Sequence, residues 1–149
     1  MAKLYIFAVC DKVIIDQSGT ASLIGLFNEV RAFLPPDSLS IPQNAVAPKE
    51  WFIFASWLRQ PDDVGKEYRQ LVQILYPDGT LFAQQSEARF VFEVGKSLQQ
   101  NTVNIPGFPV GKPGIHTVKM WLETGGSIAF EPVSIDINVI HDRLAAAKT

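Results

Sequence analysis

Residues 113–140, PGIHTVKMWLETGGSIAFEPVSIDINVI, constrain the fold more than any other stretch of the chain. Two runs with the period-2 alternation of strands flank a Gly125-Gly126 turn. In the first run His116, Val118, Met120 and Leu122 share a face. In the second Val133, Ile135, Ile137 and Val139 do, with Ser134, Asp136 and Asn138 opposite. A long hairpin with one apolar face is not stable alone in water and needs a second layer over that face.

The upstream sequence supplies candidates for that layer. Residues 3–9 (KLYIFAV) are aromatic and β-branched and predict a buried strand. A turn cluster, Gln17-Ser18-Gly19-Thr20, follows Val13-Ile14-Ile15. Residues 21–34 suit helix or strand by composition; the Gly25 interruption, the hairpin-like spacing from Val13 and Pro35-Pro36 favour one long, kinked strand. Residues 50–59 (EWFIFASWLR) are apolar on both faces, with Trp51, Ile53, Ala55 and Trp57 on one side and Phe52, Phe54 and Leu58 on the other. Residues 67–76 and 80–94 flank Pro77-Asp78-Gly79, a strong hairpin signal.

Two Pro-rich stretches interrupt this pattern. Residues 35–49 hold four prolines and no clean period, which predicts a long loop able to shield a sheet edge. Residues 95–112 are also loop-like, with Val103 and Ile105 as a short edge strand. The total is about seven or eight antiparallel strands with frequent turn signals and no convincing helix, the pattern of an all-β sandwich. One domain over 1–140 and a short tail over 141–149 account for the chain.

Composition then removes function classes. A chain of 149 residues can bury roughly 68–70% of its unfolded surface without a staple. The net charge of −2 and scattered Lys/Arg give no footprint for nucleic acid. Cys10 is the single cysteine, so no intrachain disulfide forms and a reducing, cytoplasmic setting is expected. The apolar run before it, about seven residues, ends at Asp11-Lys12 without a small-residue cleavage site, so a strand is expected and not a signal peptide. The apolar stretch at 51–58 is far short of the roughly 20 residues that span a bilayer. No membrane association is expected.

At PGIHTVKMWLE the chain resembles the penultimate strand of immunoglobulin-like domains: a Gly, an aromatic, then alternating apolar residues. His116 stands where the corner tyrosine would be, and Val118 where those domains often carry cysteine. The resemblance implies that the His116 imidazole ties the corner to nearby backbone. A second stretch, AVCDKVIIDQSGTASLIGLFNEV, resembles the opening of a bacterial and phage family of small immunoglobulin-like β-sandwich proteins of unknown function. With the PDG hairpin and the last strand pair, that resemblance spans most of the chain. It implies an immunoglobulin-like sandwich and brings no activity with it.

Candidate chemistry is sparse. Two histidines, His116 and His141, cannot build a His-rich metal site. His116 lies on an apolar face, where a structural histidine outweighs a catalytic base. Cys10 has no basic neighbour in sequence to activate it. No G-x-S-x-G elbow, Walker loop or G-x-G-x-x-G fingerprint occurs. Asp62-Asp63 offers two carboxylates for a weak metal site, but its turn chemistry is the simpler reading. No cofactor and no enzymatic activity are expected.

Tryptophan gives the sharper signal. Trp121 alternates with Thr117, Lys119 and Glu123 on the polar face of its strand, and Trp57 shares a face with Trp51 and Ala55. Outward aromatics are candidate interface anchors, against the alternative that a loop such as 35–49 or a second layer covers them. Trp121, Trp57 and Lys119 therefore form the candidate interaction surface of a non-catalytic binding or accessory module, acting on an unidentified protein partner or as a homo-oligomer. A carbohydrate-type ligand stacking on Trp121 or Trp57 is the alternative.

Overall fold

The computed structural model describes residues 1–37 and 40–143. They form eleven strands in chain order: β1 Lys3–Ile15, β2 Ala21–Leu26, β3 Glu29–Leu34, β4 Val46–Ala47, β5 Trp51–Leu58, β6 Glu67–Leu75, β7 Leu81–Val91, β8 Leu98–Ile105, β9 Phe108–Pro109, β10 Gly114–Thr124 and β11 Ser127–Arg143. A single 3-10 turn, Pro61–Asp63, joins β5 to β6. The chain is all-β. Its sheets run β2-β1-β5-β8, β3-β11-β10-β6-β7 and, as a small clasp, β4-β9.

The hairpin at 113–140 forms as its alternation requires. His116 pairs with Ile137 and Val118 with Ile135, and the inward residues of β10 are all fully buried. β6 docks on the other side of β10, Val118 opposite Ile74 and Met120 opposite Val72. The facing layer is the strand that is apolar on both sides: Trp51, Ile53, Ala55 and Trp57 of β5 are buried in the same cluster as Met120, Leu122 and Ile137. One core therefore joins the two larger sheets. Trp57 completes the link, its Nε1–H donating to Gln70 Oε1 on the opposite sheet at 2.8 Å.

Four expectations from the sequence are corrected. Residues 21–34 are two strands in different sheets, because the chain crosses at Phe27-Asn28, where the Phe27 ring packs edge-on to Trp51 and Phe108. β3 then pairs with β11 in parallel, so the sheets are not antiparallel throughout. The segment 95–112 holds a full eight-residue strand, β8, on the edge of the four-stranded sheet. Strand β11 runs through His141 to Arg143, so a domain boundary at 140 falls inside a strand, with the His141 ring nitrogen Nε2 held by the Val110 carbonyl at 2.6 Å. The rest of the expected tail, beyond Arg143, lies outside the described residues.

The two Pro-rich segments, far from being independent loops, close on each other. β4 pairs with β9 through Val46 opposite Pro109 and Ala47 opposite Phe108. Val110 N–H donates to the Ala45 carbonyl, and Gly111 lies so close to Gln43 and Pro42 that a Cβ there would overlap their backbone. Phe108 is driven by this clasp into the core against Trp51.

Candidate functional site

Strand alternation places Thr117, Lys119, Trp121 and Glu123 on the outer face of the five-stranded sheet, since their neighbours on β10 point inward. Trp121 sits at the middle of that face, half-buried, opposite Leu71 of β6. Leu71 is itself only 1% exposed, although it faces outward. Its cross-strand neighbours are Trp121 on one side and Glu87 of β7 on the other. Long side chains thus roof an apolar spot in the centre of an otherwise charged surface.

The charges around the indole are ordered. Trp121 Nε1–H donates to Glu123 Oε1 at 3.2 Å, and Lys119 Nζ lies 5.6 Å from the ring centre. The second oxygen of Glu123 accepts from Arg69 at 2.9 Å. Arg69 in turn lies 3.7 Å from Glu87, which takes a 2.8 Å bond from Arg89. This last contact draws the Glu87 carboxyl below its usual range. Exposed ion pairs of this kind add at most about 1 kcal/mol each to stability. Their effect here is positional: they fix the long side chains and the indole before any partner arrives, which lowers the ordering cost of binding.

The other predicted positions separate from this surface. Trp57 is fully buried, so it drops out of the candidate surface; on a strand apolar on both faces, the Trp side is the inner one. It packs edge-on against Phe130, while Gln70 Oε1 also accepts from Asn101 at 2.9 Å. Asp62 is exposed whereas Asp63 is fully buried and accepts from Tyr68 OH at 2.5 Å and Gln60 N–H at 2.6 Å. Asp63 therefore anchors the turn into β6. Cys10 is buried, and burial pushes its thiol up, away from the thiolate.

His116 is fully buried on the inner face of β10. Its Nδ1–H donates to the Gly114 carbonyl at 3.3 Å, and the ring packs between Tyr76 and Phe108. This bond fixes the tautomer and leaves Nε2 buried without a partner. Burial lowers its pKa from 6.5, with Lys112 acting in the same direction. Below pH 6.5 the unfolded chain takes up a proton that the native ring refuses, so stability falls as pH drops and is unaffected above. His116→Phe is expected to flatten the pH dependence of urea midpoints between pH 6.5 and 5. An unchanged slope would assign that dependence elsewhere.

No helix among the described residues is long and apolar enough to cross a membrane. No curated protein matches the chain. A family model does match residues 5–125, which carry β2 through β10 and nearly all of β1, including the Trp121 face. The chain belongs to that family, a family of unknown function (DUF6941).

Proposed function

We propose that this protein is a non-catalytic binding module that acts through protein–protein contact, with the outer face of the five-stranded sheet around Trp121 as its contact surface. The scaffold is best taken as an immunoglobulin-like sandwich, with the corner bond of His116 and the shared two-sheet core in support. The observation that carries the reading is a half-buried tryptophan held in a pre-ordered frame of Lys119, Glu123 and Arg69. Interface hot spots have that make-up, an aromatic or Arg anchor at the centre of a patch that excludes water around it. A cytoplasmic setting fits the single, buried Cys10. A sugar stacking on Trp121 is less well served, because the polar groups beside the ring are already bonded to one another.

The test is a tagged pull-down from the native host with intact-mass sizing of the eluate. A stoichiometric partner is expected, and Trp121→Ala should weaken its binding by about 30-fold or more, with far-UV circular dichroism unchanged. Lys119→Ala should act more on the association rate and its salt dependence. A partner held equally well by Trp121→Ala would move the interface off this face.

A further inference from the structure

The turn between β1 and β2 leaves two adjoining cavities between itself and the four-stranded sheet, of about 340 and 770 Å³. Ser18, Gly19, Leu98 and Gln100 line both, so the two are halves of one groove running from β5 along β8. The overhanging turn is rigid. Asp16 Oδ1 accepts from Ser18 N–H and Thr20 N–H, each at 2.9 Å, and from the Ser18 hydroxyl at 2.7 Å.

On β5, Ser56 lines the smaller cavity next to Phe54. Ser56 is 1% exposed, and its hydroxyl has no hydrogen-bond partner. A buried hydroxyl left unbonded is unfavourable, so its presence beside a cavity points to a group that enters and bonds it. Around it stand Thr20, Ser18 and the Gln100 amide, with the Tyr5 ring 61% exposed at the rim. Glu93 and Lys96 are the charged residues among the lining of the groove, and they pair with each other at 2.9 Å.

This chemistry selects by elimination. An anion would find no unpaired cation in the groove, and a metal ion no cluster of carboxylates. A purely apolar ligand would leave Ser56, Thr20 and Gln100 dry. A ligand with many neutral hydroxyl groups and an apolar C–H face satisfies both the hydroxyl–amide wall and the exposed Tyr5 at the rim. We infer that the groove beneath the β1–β2 turn binds a neutral saccharide, on the opposite sheet from Trp121 and independently of it.

The test is a ¹H–¹⁵N titration of the full chain with maltotetraose, cellotetraose, laminaritetraose and chitotetraose in turn. At least one is expected to shift the amides of Tyr5, Ser18 to Ala21, Ser56 and Leu98 to Gln100. Gln100→Ala should weaken that sugar roughly three- to tenfold, the share of one neutral hydrogen bond. Trp121→Ala should leave it unchanged. Ser56→Ala gives the sharper result: thermal stability of the free protein should rise as the unbonded hydroxyl is removed, while sugar affinity falls. A rise in stability with affinity intact would make Ser56 structural and overturn the site. So would shifts centred on Trp121, or none from any of the four sugars.

Discussion

Trp57→Ala should lower the unfolding free energy by roughly 3–5 kcal/mol, the range for deleting a large buried aromatic. The indole is fully buried and packs edge-on to Phe130 at 5.1 Å between ring centres. Its N–H is one of two donors on Gln70 Oε1, the other being Asn101. The cavity and the lost bond therefore fall at one point, where the two sheets are tied by polar contact. Trp57→Phe keeps most of the volume but not the donor, and a cost of about 1–2 kcal/mol is expected. Urea denaturation monitored by circular dichroism measures both. A loss below 1 kcal/mol for Trp57→Ala would mean that the strand is not held in the core as described.

The second large effect is expected at Asp63. Its carboxylate accepts two hydrogen bonds in a fully buried position, from the Gln60 N–H and the Tyr68 hydroxyl. Asp63→Ala leaves both donors without a protein acceptor, at about 1–3 kcal/mol each, so a loss of roughly 2–4 kcal/mol follows after partial relaxation. Tyr68→Phe removes one bond and should cost less, about 1–2 kcal/mol. Because the two residues share an interaction, the double variant should lose less than the sum of the singles. The Tyr68 phenol gives a spectroscopic check. Burial and the bond to Asp63 both push its pKa upward, so its ultraviolet titration should lie above that of a free tyrosine, and the displacement should shrink in Asp63→Ala. Equal stability of Asp63→Ala and the parent chain would refute the anchoring role.

The sequence was most legible where one face of a strand is apolar and the other is not. The β10–β11 hairpin and the outward placement of Trp121 follow directly from that alternation. Legibility failed where the pattern was uniform. Strand β5 is apolar on both faces, so nothing in WFIFASWL says which side is inner, and Trp57 stayed a candidate for the surface. Strand β8 failed in the opposite way. LQQNTVNI carries few apolar residues because Asn101 points toward Gln70 and not toward a hydrocarbon neighbour, so the segment resembles a loop. The crossing at Phe27-Asn28 left no mark except Gly25, whose positive φ of 72° sits one residue before the end of β2 and reads equally well as a kink. The groove was illegible altogether. Ser56 and Ser18 lie far apart in sequence, and only the path of the turn between β1 and β2 brings them to one cavity.

The parallel pairing of β3 with β11 sets the order in which the molecule can be built. Every strand of the four-stranded sheet has emerged by Ile105, so that sheet can close while synthesis continues. The five-stranded sheet cannot, because its centre is β10 and β11, and β3 has no partner until residues 138–143 arrive. Until then the inner faces of β5 and β6 lack part of their cover, and a nascent chain on the ribosome presents apolar surface for the time taken to add β11. Contacts this distant in sequence also make for slow folding. The Trp121 face belongs to the late sheet, whereas the groove needs only strands from the early one. Binding competence at the two would therefore be acquired one after the other during synthesis.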